Sequence, residues 1–227
     1  MGKNREMKKS VHLEEVLKKI YDKLFATFGP QGWWPASSPF EVAIGAILTQ
    51  NTNWKNVEKA INNLKKHCLL SPKKLKEIDE KKLSMLIKSA GYYNQKAKKI
   101  KEFVKFLVEN YNGKMEEMKK ENPEDLREKL LSIKGIGRES ADSILLYALD
   151  MPVFVVDAYT YRIMLRHGLI YEDITYDELK ELFEKNLPHD VKIFNEYHAL
   201  LVKVGKEFCK KSVPKCNGCP LEEFLEK

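Results

Sequence analysis

No stretch of this 227-residue chain is apolar for long enough to cross a bilayer. Runs such as Ile144–Leu149 fall far short of the roughly 18–20 residues a spanning helix needs. No apolar signal core follows the basic N-terminus MGKNREMKKS, so the chain is expected to stay in the cytoplasm. Cysteine is scarce, with four in a chain expected to be intracellular, and this favours metal binding over a disulfide framework. Repeats of fixed period and low-complexity tracts are missing, and Met151–Val156 is the only strand-like run, too short and isolated to build a sheet. These gaps exclude a membrane protein, a secreted disulfide scaffold, a solenoid and a β-rich fold.

What is present is a balanced globular composition, 43% hydrophobic and 32% charged, with a net charge of +7. The length allows one or two domains. The charge is uneven: residues 65–105 hold 13 Lys against four acids, Glu77, Asp79, Glu80 and Glu102, whereas 171–184 is acidic. A basic region of this kind suits a polyanion through counterion release, and a Lys-rich solvated helix surface is the plainer alternative.

Short amphipathic helices divided by Gly and Pro fill the chain, so the class is all-α. Leu13, Val16, Leu17, Ile20, Leu24 and Phe28 follow helical spacing until Gly29-Pro30. Helices are expected at 40–49, 54–67, 72–78, 80–90 and 94–111. Asn122-Pro123-Glu124-Asp125 reads as an N-cap, a first-turn proline and an acidic first turn, opening a helix to about Ser132. Further helices are expected at 138–149, 158–167, 175–186 and 192–208.

Between two of these helices lies Leu131-Ser-Ile-Lys134-Gly135-Ile-Gly137-Arg138-Glu139-Ser-Ala-Asp142. Two glycines one residue apart permit a tight turn and close approach of a phosphate to the backbone. The start of the next helix then presents N–H groups to that anion, a grip that reads no base sequence. Lys134, Gly135, Gly137 and Arg138 are thus candidate DNA-contacting residues. Nineteen residues beyond Arg138, the apolar run Val155-Val156 ends in Asp157. By itself Asp157 reads as an N-cap for the helix opening at Ala158.

Together, Leu-x-x-x-Gly-Ile-Gly-Arg-x-x-Ala and the following Val-Asp resemble the endonuclease III-like, helix-hairpin-helix superfamily of DNA glycosylases. The resemblance implies a two-domain fold with the active site in the cleft between domains, duplex DNA as partner, and Asp157 as the catalytic carboxylate. Breaking an N-glycosidic bond passes through an oxocarbenium-like sugar, which a fixed anion stabilises while orienting water. In the lyase-competent members, the residue after the hairpin's Gly-Arg is a lysine that attacks the sugar. Here it is Glu139, which forms no imine, and Lys134 is offset by five positions. A monofunctional enzyme is therefore expected.

All three tryptophans fall within 22 residues, in Gly32-Trp33-Trp34-Pro35 and Leu48-Thr-Gln50-Asn-Thr-Asn-Trp54. With Gly91-Tyr-Tyr-Asn-Gln-Lys-Ala-Lys98 and the hairpin, these stretches resemble the bacterial 3-methyladenine glycosylase branch over residues 33–206. In that branch, positions matching Trp33, Trp34, Pro35 and Trp54 line the base pocket. A purine methylated at N3 or N7 is cationic, stacks well on indole and leaves readily. The base has to be flipped out of the duplex to be reached. Gln50 reads either as the side chain filling the vacated space or as a helix C-cap.

Cys209-x6-Cys216-x2-Cys219 resembles three of the four ligands of the family's C-terminal [4Fe–4S] loop, and the fourth position is Leu225. An iron–sulfur cluster is the first reading. A cluster with a non-cysteine ligand, another metal and an empty loop stay open, and Cys68, remote in sequence, reads as a buried apolar thiol outside the set. Lys210 and Lys211 of this loop are candidate phosphate contacts. The expected domains are 36–152, ending in the hairpin, and 1–35 joined to 153–227, in a chain acting as a monomer on double-stranded DNA with a damaged base. The alternatives are a bifunctional glycosylase/lyase on oxidised pyrimidines and a non-catalytic DNA-binding hairpin protein.

Overall fold

The computed structural model describes residues 2–225 of the chain, with side chains from residue 13 onward. The described residues are helical throughout their regular structure, with no strand among them, and they divide into two compact units, 34–151 and 2–33 with 152–225.

Unit 34–151 is built around α2 (Pro39–Thr49). Ser38 caps α2, its hydroxyl accepting from the Glu41 N–H at 3.2 Å, and proline sits in the first turn. Every residue from Phe40 to Leu48 is buried, as expected of a helix apolar all round. Helix α3 (Trp54–Lys66) is amphipathic and buries Val57, Ala60, Ile61 and Leu64. Short α4 (Pro72–Glu77) and α5 (Glu80–Leu86) lie against α6 (Tyr93–Tyr111). The Lys101 ammonium donates to the carbonyls of Leu75 at 3.1 Å and Ile78 at 2.7 Å, so a basic side chain closes the end of α4. After α7 (Met115–Met118), Asn122 caps α8 (Pro123–Leu131) by accepting from the N–H groups of Glu124 and Asp125. Then α9 (Arg138–Ser143) runs into a π-helical turn, Ile144–Ala148, where one regular helix to 149 was expected.

The second unit comprises α1 (Gly2–Phe28), α10 (Ala158–Arg166), α11 (Tyr176–Asn186) and α12 (Val191–Glu207). Helix α12 is its core, burying Phe194, Tyr197, Leu200, Leu201 and Val204. Phe154 stacks on Phe183 at 4.1 Å between ring centroids, with Phe194 and Tyr197 edge-on to Phe154. The strand-like run at 151–156 is extended but unpaired with any strand. Two of its N–H groups donate to side chains, Phe154 N–H to Glu184 at 2.8 Å and Val156 N–H to the Tyr176 hydroxyl at 3.3 Å, and Met151 N–H donates to the Leu145 carbonyl at 3.0 Å. Gly205 lets α10 and α12 approach, since a Cβ there would lie 2.5 Å from the Tyr159 ring. No helix among the described residues is long and apolar enough to cross a membrane.

Candidate active site

The hairpin joins α8 to α9 through residues 132–137. Ile133 and Ile136 anchor it in the core, and the Ile136 N–H closes the turn on the Ile133 carbonyl at 3.0 Å. The two glycines do different work. Gly135 sits at φ +94° with its Cα packed on the Lys99 stem, where a Cβ would fall 2.6 Å from Lys99 Cγ. Gly137 caps α9 at an ordinary φ of −99°, and a Cβ there would meet nothing within 4 Å, so its bareness serves the outer face of the turn. Lys134, Gly135, Gly137 and Arg138 are exposed. Beneath them Arg127 grips the buried Asp142 with two hydrogen bonds, Nε to Oδ1 at 2.6 Å and Nη2 to Oδ2 at 3.2 Å, bracing α8 against α9.

Gln50 is the C-cap residue of α2, and its side chain is engaged. Its amide donates to the Ser140 hydroxyl at 2.7 Å, and its oxygen accepts from the Lys99 ammonium. Both partners belong to the hairpin's surroundings, a tie that no sequence spacing announces.

Asp157 caps α10, as the sequence suggested. Oδ1 accepts from Tyr159 N–H at 2.9 Å, Thr160 N–H at 2.8 Å and the Thr160 hydroxyl at 3.0 Å. Oδ2 faces His198 Nε2 at 3.6 Å, and the side chain is only 12% exposed. Burial pushes this carboxyl up, but the His198 imidazole, and then the Thr160 hydrogen bonds, outweigh it and hold it below the ordinary carboxylate value. The result is an ionised carboxylate with one oxygen locked and the other directed at a histidine. The Trp33 ring lies 5.9 Å from the His198 ring, and the Lys206 ammonium sits 5.8 Å from the same indole. Burial lowers the Lys206 ammonium, partly countered by Asp157. His198 was missed from sequence, because a lone histidine on an apolar helix carries no spacing signal.

The adjacent tryptophans diverge. Trp34 turns to Trp54, edge-on at 5.2 Å, and to Tyr147 at 5.3 Å. Its ring lies flush on α2 because residue 45 is glycine, where a Cβ would already meet the indole at 3.3 Å. Trp34, Pro35 and Trp54 line a solvent-open cavity with Glu41, Glu58, Asn62 and Lys65. Trp33 is not part of its lining.

In the C-terminal loop Cys209, Cys216 and Cys219 share the wall of a small, solvent-open pocket, whereas Cys68 lies outside that wall and is exposed rather than buried. The donor set does not fit a four-thiolate cluster. Leu225, at the fourth position, is an apolar wall of the cavity, and Arg166 Nη1 donates to Cys209 Sγ at 3.3 Å. Both His167 ring nitrogens lie against carbonyls, Ile163 at 2.7 Å and Leu221 at 3.2 Å, so this histidine offers no replacement. Glu222 accepts from Gly218 N–H at 3.0 Å. Among the described residues, no group of three or more His, Cys, Asp or Glu is arranged to hold a metal ion. What orders the loop here is arginine: Arg162 donates to the Cys209 carbonyl at 2.8 Å, and Arg166 to those of Lys210 at 2.7 Å and Lys211 at 3.0 Å. The Lys210 and Lys211 side chains stay exposed.

Residues 44–189 match the family model of the HhH-GPD superfamily base excision DNA repair protein. A Methanocaldococcus jannaschii protein whose given name is that of a DNA repair glycosylase is 56% identical over 212 residues, covering 92% of this chain and 96% of its own. Endonuclease III of Thermotoga maritima is 33% identical over 190 residues, covering 84% of each chain. Among solved structures, the Helicobacter pylori 3-methyladenine DNA glycosylase MagIII bound to 1,N6-ethenoadenine superposes with a TM-score of 0.73 at 32% identity, over 87% of this chain and 97% of that one. A helix-hairpin-helix between α8 and α9, an aspartate capping α10 and a match over more than half the chain lead to one assignment: the chain belongs to the HhH-GPD superfamily of base excision repair DNA glycosylases, hydrolases of N-glycosyl bonds.

Proposed function

We propose that this chain is a monofunctional DNA glycosylase that removes alkylated purines of the 3-methyladenine type from duplex DNA and leaves the abasic site uncut. The observation that carries this reading is Asp157, an ionised carboxylate immobilised by Tyr159 and Thr160 and faced by His198. The bond between C1′ and the base nitrogen breaks with its electron pair going to the base, which neutralises a cationic purine. Positive charge then develops on the sugar, and the Asp157 carboxylate stabilises it without reorganising. Water adds at C1′, oriented by the same carboxylate, and releases its proton. A cationic leaving group needs no strong acid, and Glu139 supplies no amine for a Schiff base.

The aromatic cavity of Trp34, Pro35 and Trp54 suits a planar base, and Trp33 serves beside His198. The similarity to MagIII, a 3-methyladenine DNA glycosylase whose structure holds 1,N6-ethenoadenine, supports the purine class. Lys134, Gly135, Gly137 and Arg138 contact phosphate, joined by Lys210 and Lys211, and the enzyme works as a monomer associated with the nucleoid. Gln50 fills the gap left by the flipped base after releasing Ser140 and Lys99. An iron–sulfur cluster on the three cysteines is supported only by their shared cavity. Iron analysis with absorbance at about 400 nm checks it, and no step of the reaction depends on it.

The test is base-release profiling on randomly methylated DNA, with borohydride trapping alongside. Release of methylated purines without a covalent adduct is expected. A trapped adduct and release of oxidised pyrimidines would establish the bifunctional alternative, and binding without any release would leave a DNA-binding module.

A further inference from the structure

The cavity beneath Trp34 contains a charge that the cleavage step leaves unused. The Glu41 side chain is 7% exposed, and its Oε1 pairs with the Lys65 ammonium at 2.6 Å. Its Oε2 accepts from the Ser37 N–H at 3.1 Å and from the Ser37 hydroxyl. Burial alone would favour the neutral acid, but Lys65 and Ser37 together keep this carboxyl below its ordinary value. Capping of α2 accounts for the Ser37 bonds. It accounts neither for an ammonium brought in from α3 nor for the opening of this corner into a cavity walled by two indoles.

The two partners are unequal. The Lys65 side chain is 41% exposed, so its ammonium returns to water cheaply, whereas Glu41 is held in place by Ser37. A carboxylate so enclosed requires a cation beside it. Around the cavity stand two carboxylates, Glu41 and Glu58, against one ammonium, with the Asn62 amide beside them.

We propose that Glu41 is the specificity-determining group of this cavity: a cationic N-alkylated purine, lying against the indoles of Trp34 and Trp54, displaces Lys65 from the Glu41 carboxylate. One cation replaces another, so the enclosed charge is never left bare. A neutral base of the same outline can still donate a hydrogen bond to the carboxylate, but it carries no charge to replace the ammonium, so it leaves the Glu41–Lys65 pair closed and gains mainly stacking. This inference rests on the glycosylase reading above and deepens it by naming the charge that selects the damaged base.

The experiment is calorimetric titration of the full chain with 7-methylguanosine, which is cationic near pH 6, and with neutral guanosine. The unmodified chain should bind the charged nucleoside about tenfold more tightly or better, in line with the value of one well-placed polar contact. Lys65→Met, which removes the competing ammonium, should tighten 7-methylguanosine several-fold and leave guanosine unchanged. Glu41→Gln keeps a hydrogen bond to Ser37 and should abolish the preference; should that variant not fold, the exposed Lys65 position tests the same exchange. Equal binding of the two nucleosides, weaker binding of the charged one to Lys65→Met, or a preference that survives in Glu41→Gln would overturn the proposal. Base release from methylated DNA, measured in parallel, separates the two ideas. Release without Glu41-dependent preference sinks only the cation exchange, whereas Glu41-dependent preference without release sinks only the glycosylase reading.

Discussion

Two enclosed carboxylates, Asp157 and Glu41, both serve helix N-termini, yet the structure prepares them for different work. Asp157 takes three hydrogen bonds on one oxygen and directs the other at a histidine 3.6 Å away. Glu41 has both oxygens occupied, one by Ser37 and one by a lysine at 2.6 Å. Both are held below their ordinary carboxyl values. Ionisation is therefore not what separates them. The difference is the oxygen left for a reacting cation: at Asp157 a single histidine at 3.6 Å faces it, and at Glu41 an ion pair at 2.6 Å must first open. A capping carboxylate becomes useful to a reaction when one lone-pair set holds the helix and the other is only lightly held.

The largest effect should come from Asp157→Asn. Asparagine caps helices about as well as aspartate, so the fold should be retained, with Tm lowered only by loss of the charge's own contribution, while base release falls by about 10³-fold, the order expected when a single preorganised charge is removed from a charged transition state. Single-turnover release with a parallel DNA-binding titration measures this. A variant that retains activity would erase the distinction between the two carboxylates.

A smaller effect is expected at His198→Gln. Without the imidazole, the largest influence opposing burial at Asp157 is gone and its pKa rises, so the acid limb of the kcat profile should move to higher pH. If the profile stays in place, His198 only fills space.

Acid stability provides the next comparison. A carboxyl whose folded value lies below its ordinary one adds stability that is fully present above the ordinary value and lost as pH falls through the folded value. The ordinary values are 3.8 for Asp157 and 4.5 for Glu41. The Tm of Glu41→Gln should therefore lie below that of the unmodified chain at neutral pH, and the gap should close as pH falls below about 4. Thermal melts across pH 3–7 (roughly the range in which carboxyls titrate) measure this, and a gap constant over that range would mean that Glu41 carries no charge in the fold. The smallest effect belongs to Gly45→Ala. Its Cβ would press on Trp34 at 3.3 Å, so the indole must shift by a few tenths of an ångström. The cost should stay within about 1 kcal/mol, with a change in tryptophan fluorescence as the more sensitive readout.

Much of the fold was legible from the chain because its signals are local. Helix periodicity, the Asn122-Pro123 start and the glycine-bearing hairpin depend on residues a few positions apart, and these elements form where they were expected. The run at 151–156, strand-like yet too isolated to build a sheet, meets no strand among the described residues, and side chains of α11 accept from two of its N–H groups. One misreading was also local. The helix after the hairpin was read as continuous, and its second half is a π turn.

What the amino-acid sequence determined by itself was the all-α class, the hairpin, the capping role of Asp157, the missing lysine at Glu139 and the incomplete cysteine set. Tertiary structure alone decided which groups meet. It set His198 opposite Asp157, 41 positions further along the chain, parted Trp33 from Trp34, bound Gln50 to Ser140 and gave Glu41 its lysine. Backbone hydrogen bonding and side-chain periodicity act within a few residues of the chain, and sequence displays them. Charge pairing, ring stacking and pKa act through space, so they exist only once packing has placed the partners.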